Sequence, residues 1–531
     1  MDHFKFSTLP YKRPDLEAHR AKLAAWKSAV EHAESYEALR GLIFEIDRAN
    51  CELSTQFSTV HIRHTLDTRD EFYEAEINYL QDTLPTLSGD EVALSGAIAA
   101  SPFRADIEKE FGKQYFVSMD LQKKLFCEAN IPLRQQESRL TNEYQKIMAT
   151  AEIPFDGKTL NLYGVQKYFE HPDRAVRAAA VKAYAKFYED NEPRLEEIWD
   201  ELIRIRNQMG KNLGYENYIP VGYLEQGRTN YGEKEVASFR EQVRTVLVPL
   251  CQKLYDAQAK RLGLDHVMWY DEKMVFPDGN AEPAGDDEFM VKTAQKMYHE
   301  ISPETGEFID FMIDHELMDL QNKPGKASTG YMTSLPSLKA PFVFSCFNHT
   351  IFDMQVLTHE LGHAFAGYMA MRSQPISDYY SESTDIAEIH SMSMEQFAPL
   401  RRVVLRQSGG QVPLCAPAGG ADLCALRRGG GRVPAHLLRI PRADAQGADV
   451  SVAPAGGKVH AVAQVRQRRV LGARRLLVPQ AAHLSLPLLL HQLHAHDHGR
   501  DGVQEEIRRE QGSRVAGLPE PLQGGRQPKL S

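Results

Sequence analysis

Residues 353–370 read DMQVLTHELGHAFAGYMA, and at their centre His359-Glu360-Leu361-Gly362-His363 forms an HExxH pattern. On a helix, positions i and i+4 share a face, so both imidazoles can reach one zinc ion while Glu360 lies near a water bound to it. The plain alternative is a charged helix with two unrelated histidines. Against it, Val356, Leu357, Ala364, Phe365 and Ala366 make the helix apolar around the motif, as a buried metal site requires.

A catalytic zinc takes three protein ligands and keeps a fourth position open. A glycine three residues and a histidine six residues past His363 would signal a metzincin; those positions hold Ala366 and Met369, which excludes that class. Downstream, DYYSESTDIAEIHSMSMEQF (378–397) offers Glu382, Glu388 and Glu395. Ser383 or Thr384 can cap a helix on which Ile386, Ile389 and Met392 fall at helical spacing. Glu388 then sits in its first or second turn and is the expected third ligand. Glu395, two turns further along the same face, is either a hydrogen-bond acceptor for a ligating histidine or a solvated surface acid.

Outward from this centre, the first 398 residues read as mainly helical. Residues 15–50 and 174–214 carry apolar positions three and four apart with charges between them. FPDGNAEPAGDDE (276–288) reads as a surface loop. GYMTSLPSLKAPFVFSCFN (330–348) is the best strand candidate, its two prolines suggesting an edge or a hairpin. Peptide backbone could add to the edge of the strand around Ala340–Phe347.

The chain of 531 residues is 42 % apolar and 25 % charged, ordinary globular usage that excludes collagen-like or wholly disordered readings. Its length excludes a small binding module. The net charge of −10 conceals two unlike segments. Residues 399–531 hold 18 Arg and 2 Lys against 9 acids, a balance of +11, which leaves −21 for the first 398. Every Phe, Tyr, Trp and Met lies before residue 399, so the tail has poor material for a close-packed core. The acidic main segment argues against nucleic acid as a partner. Six scattered cysteines without CxxC spacing, an N-terminus without a signal-like apolar run and no long apolar stretch point to a cytoplasmic protein with no membrane partner.

The motif HELGHAF, the segment AEIHSMSMEQF (387–397) and the upstream TSLPSLKAPFVFSCFNHTIFD (333–353) together resemble the oligoendopeptidase F branch of the thimet oligopeptidase family. YKRPDLE, IRHTLDTRDEFYEAE, GYENYIPVGY and SPETGEFIDFM extend the resemblance over roughly residues 1–398. It implies a large, mainly α, zincin-type metallopeptidase with a deep substrate channel and a small β element beside the HExxH helix. It also implies one zinc per chain on His359, His363 and Glu388, with Glu360 as general base and short peptides as substrates. The expected division is an N-terminal helical region (1–120), a catalytic region (121–398) and an unrelated tail (399–531). One departure stands out: where the family usually has FNGTSGD, residues 347–353 read FNHTIFD, placing bulk at His349, Ile351 and Phe352.

The family's C-terminal part supplies a His and several Tyr donors, in a pattern like H-I-Y-x-x-P-F-Y-Y-I-D-Y, and this tail has no Tyr. Read from the second base, codons for Ala482–Leu493 allow H-I-Y-x-x-P-F-Y-Y-I-N-Y, and those for Ala425–Ala435 allow P-Y-G-V-x-V-D-E-F-Q-H, another pattern of the family. A single-base frameshift near Ala398 accounts for both. Two functional readings stay open: a zinc endopeptidase acting on short peptides, or a catalytically impaired remnant that keeps the metal site without the lost donors.

Overall fold

The computed structural model describes residues 4–397 and 405–406. The expected departure of the tail from the family fold falls outside the described residues, apart from that short pair.

Six helices open the chain: α1 (Leu16–Glu31), α2 (Tyr36–Leu66), α3 (Glu71–Thr83), α4 (Ser88–Ala99), α5 (Arg104–Phe111) and α6 (Lys113–Leu125). Their apolar faces meet in a core that includes Leu23, Trp26, Ile43, Ile77, Leu80 and Ile107. The stripe across 15–50 is divided between two helices because Ser35 restarts the chain as an N-cap, its side chain accepting from the Ala38 amide. Asp15 and Asp70 cap α1 and α3 in the same way.

The middle of the chain comprises α7 (Ile131–Ala149), a hairpin of β1 (Ile153–Phe155) and β2 (Lys158–Leu160), α8 (Leu162–Gln166), α9 (Arg174–Asn212), α10 (Ile219–Glu225), α11 (Glu233–Gln242) and α12 (Val248–Leu262). As the periodicity predicts, α9 is one long helix. It runs through Pro193, and Leu195, Ile198, Leu202 and Ile205 continue its buried face beyond the proline.

The last part holds β3 (Glu282–Pro283), α13 (Asp287–Ile301), α14 (Pro303–Asp314), β4 (Met318–Gln321), β5 (Tyr331–Leu335), β6 (Ala340–Phe347), α15 (Ile351–Ser373), α16 (Thr384–Phe397) and β7 (Leu405–Arg406). The loop expected over 276–288 is interrupted by β3, which pairs antiparallel with β7. The segment 330–348 folds as a hairpin, β5 antiparallel to β6, with Pro336 in the turn between them. The edge assignment for Ala340–Phe347 is corrected: the sheet order is β4-β6-β5, so β6 is central and all eight of its residues are buried. Pro341 is compatible with that place because β4 begins pairing only at Val343, past the proline. Among the described residues the outer strands of this sheet are β4 and β5. Phe342, Val343 and Phe344 join Met354, Leu357, Leu361 and Ala364 in the core that seats α15 against the sheet. No described helix is long and apolar enough to cross a membrane.

Candidate metal centre and active site

The two histidines of α15 stand one turn apart with ring centroids 4.9 Å from each other. Opposite them α16 begins at Thr384, where the Ser383 carbonyl accepts from the amides of Ile386 and Ala387. One turn on, Glu388 brings its Oε2 to 3.3 Å from His359 Nε2 and 3.9 Å from His363 Nε2. One donor atom from each of His359, His363 and Glu388 lies within 4.8 Å of the others. Of the three downstream acids, Glu388 meets both histidines. Glu382 instead takes a hydrogen bond from His390 Nδ1 at 2.7 Å.

The close approach of the two helices depends on Gly362. A Cβ built there would stand 2.7 Å from Ser391 Cα and 2.9 Å from Met394 Cβ, distances no side chain tolerates. The glycine between the two metal-motif residues is thus the crossing point that lets α16 present Glu388 to α15.

A second layer of polar groups holds two of the three donors, His359 and Glu388. Glu395 Oε1 accepts from His359 Nδ1 at 2.8 Å, and its other oxygen accepts from Gln355 Nε2 at 3.1 Å. Its side chain is 10 % exposed, which removes the reading of Glu395 as a solvated acid. By engaging Nδ1, Glu395 leaves His359 Nε2 facing the cluster. Ser391, fully buried, donates from Oγ to Glu388 Oε2 at 3.1 Å. Ser391 was readable in principle from its i+3 spacing to Glu388 on the same helix. Gly330 was not: its position beside β5 puts an ideal Cβ 3.6 Å from Glu360 Oε1, a neighbourhood set by the sheet and not by local sequence.

The electrostatics treat the two imidazoles oppositely. Burial opposes an imidazolium at His359, yet its hydrogen bonds to Glu388 and Glu395 outweigh that and carry its pKa up to about 10. His363 goes the other way, to about 4, through burial and the neighbouring His359. Burial raises the Glu360 carboxyl to about 7, with a smaller opposing pull from His359. Two carboxylates thus stabilise a cation between the helices while a third, Glu360, stands without a resolved hydrogen bond among the described residues.

Comparison with known proteins gives this geometry a context. Residues 6–126 match the peptidase M3 N-terminal domain, and residues 167–411 match peptidase family M3. The structure of PZ peptidase A with an inhibitor is similar over 96 % of this chain and 90 % of that one, at 32 % identity and a TM-score of 0.91. A structure described as an oligoendopeptidase F, from Bacillus anthracis str. Ames, covers 96 % of this chain and 98 % of its own at 28 % identity and a TM-score of 0.85. A further structure with that description is 33 % identical with a TM-score of 0.90. No curated protein sequence matches. A fold of packed helices around a small sheet, with two histidines and a glutamate converging between helices, is that of a metallopeptidase. The chain belongs to peptidase family M3 and is a peptide hydrolase of the metal-dependent kind.

Proposed function

We propose that the chain is a zinc-dependent oligoendopeptidase in which His359, His363 and Glu388 hold one zinc ion and Glu360 moves the proton. The observation that supports this most directly is the convergence of those three donors from α15 and α16 within 4.8 Å. Two imidazoles and a carboxylate are a donor set that suits zinc and leaves a position open for catalysis. Zinc held there supplies Lewis-acid polarisation of the scissile carbonyl and acidifies water toward a pKa of ~7.

Glu360 takes a proton from the attacking water as the new C–O bond forms and passes it to the amine nitrogen as the C–N bond breaks. Glu395 fixes the tautomer and tilt of His359, and Ser391 fixes the Glu388 carboxylate. Short peptides are the substrates. With β6 enclosed, the outer edge of β5 is the place for substrate backbone to add, and Gly330 just before it lies beside Glu360. We divide the chain into a helical region (1–120), a catalytic region (121–398) and a tail (399–531) that carries a shifted reading frame. Free thiols at Cys51, Cys127 and Cys346 support a cytoplasmic location.

A second reading is favoured by the tail: with no Tyr after residue 398, the donors that the family's C-terminal part offers to the transition state are missing from this chain. Hydrolysis of a short internally quenched peptide, with and without a zinc chelator and beside Glu360→Gln, separates the two. Chelator-sensitive cleavage absent from the variant is the expected result for the endopeptidase. Bound zinc without cleavage identifies the impaired remnant, and failure to bind zinc overturns both.

A further inference from the structure

The first turn of α16 is held from a distant part of the chain. Asp385, the second residue of that helix, receives two hydrogen bonds from Arg228, Nε to Oδ2 and Nη2 to Oδ1, each 3.1 Å, across 157 positions of sequence. The Arg228 side chain is 1 % exposed and that of Asp385 11 %. The guanidinium carbon lies 5.2 Å from the ring centre of Tyr223 and 5.6 Å from that of Tyr231, so aromatic residues on its own segment fix its direction. Gly227, in the left-handed region at φ +72°, brings the loop backbone against Ser383, whose Cβ lies 3.4 Å from where a Cβ on the glycine would stand. The loop after α10 thus grips the start of α16 through both backbone and charge.

A buried ion pair is weak evidence for stability, because desolvating two charges offsets most of their attraction. Here the remaining Arg228 nitrogen, Nη1, is buried with no hydrogen-bond partner among the described residues, which makes the pair dearer still. What the fork does supply is direction: a planar guanidinium meeting a carboxylate through two nitrogens sets both position and rotation of the group it binds. Asp385 and Glu388 are three residues apart and therefore neighbours on the helix surface. Fixing the rotation of α16 at Asp385 fixes where the Glu388 carboxylate points.

We infer that Arg228 is a positioning residue for Glu388, acting through Asp385 to aim that carboxylate at the His359–His363 pair. The inference rests on the proposed metal role of Glu388. Gly362 sets how near α16 comes to α15, and Glu395 ties its last turn to His359. Arg228 sets its rotation at the end where Glu388 sits.

The test is zinc affinity of the full chain, measured by competition with a chromogenic chelator, for the parent, Arg228→Lys, Glu388→Gln and the double variant. Lysine keeps the charge and loses the fork. The expected result is zinc binding weakened roughly 10-fold or more by Arg228→Lys alone, the scale on which groups that orient metal ligands act. In the Glu388→Gln background the same change has no further effect, since the carboxylate being aimed is gone. Equal losses in both backgrounds, or an affinity within about twofold of the parent, overturn the inference and leave Arg228 a structural residue. If Glu388→Gln itself leaves zinc affinity unchanged, the metal-site reading fails first. Should Arg228→Lys not fold, judged by circular dichroism, the pair Arg228→Met with Asp385→Leu removes both charges without stranding either, and the same comparison applies.

Discussion

His349 holds a backbone conformation that suits glycine, with φ at +63°. It stands where the resembled family motif has Gly, so the departure noted in FNHTIFD puts a histidine in a turn conformation that favours glycine. The amides of Asn348 and His349 both donate to the Asp353 carboxylate, at 3.0 and 2.6 Å, which holds the turn at the entrance to α15 whatever the residue at 349. His349→Gly is therefore expected to stabilise the chain by about 0.5–1 kcal/mol, the relief of a left-handed side chain less the added freedom of an unfolded glycine. A higher denaturant midpoint checks this; a lower one would mean that the exposed imidazole makes a contact worth more than the strain. At Glu395 the expectation concerns the metal. Glu395→Ala leaves His359 Nδ1 without its acceptor, and zinc affinity is expected to fall about 10- to 100-fold with the helices intact. A chelator titration measures it, and unchanged affinity would show that another group holds the imidazole.

Between elements, the sequence disclosed some contacts and hid others for physical reasons. The helical spacing of His359 and His363 and the cap before Glu388 are local signals, and the structure brings those three residues together. That β6 is central was not local: a stretch apolar but for Ser345 and carrying a proline reads equally well as an edge, and the parallel partner β4 is what encloses it. Arg228 is hidden in the same way, because its partner lies 157 positions on. Gly362 is intermediate, visible within the motif but explained only by the helix that crosses it. Gly362→Ala is expected to push α16 outward, costing about 1–3 kcal/mol as overpacking and weakening zinc binding in the same variant. Loss of stability without loss of zinc affinity would separate the crossing from the site. The contact of α2 with β5 carries a pH dependence. His61 on α2 packs between Phe57 and Tyr331, and burial, with a smaller push from His64, lowers its pKa to about 4. Between that value and 6.5 the unfolded chain binds more protons than the folded one, so this contribution is whole above pH 6.5 and is lost as pH falls toward 4. The loss is about 3 kcal/mol at most. His61→Phe is expected to flatten that part of the metal-free stability profile, and an unaltered slope would assign the acid sensitivity to other groups.

Over the whole molecule, the charge and aromatic distributions divide the chain more sharply than any single motif does. The described residues build connected cores from the aromatic and methionine side chains that all precede residue 399, such as Trp26, Tyr184, Tyr298, Phe308 and Met354. The family match runs on to residue 411, and Leu405–Arg406 pairs with Glu282–Pro283, so this short stretch beyond 398 meets the body of the fold through backbone pairing that needs no particular side chain. Side-chain chemistry is what the shifted frame would remove. On the function proposed above, a metal site drawn from α15 and α16 alone would then persist while turnover collapses, since the Tyr donors of the resembled family are lost with the tail and the His359, His363 and Glu388 cluster is not. Losing one oxyanion donor typically costs about 10²–10³ in turnover, and a donor set costs more. We therefore expect that restoring the second reading frame from codon 399 raises kcat on a short peptide by at least about 10² while zinc affinity changes little. The matched measurement is kcat and zinc affinity for both chains side by side. A frame interrupted by stop codons soon after 399 would sink the frameshift explanation outright, and equal kcat values would show that residues before 399 stabilise the transition state by themselves.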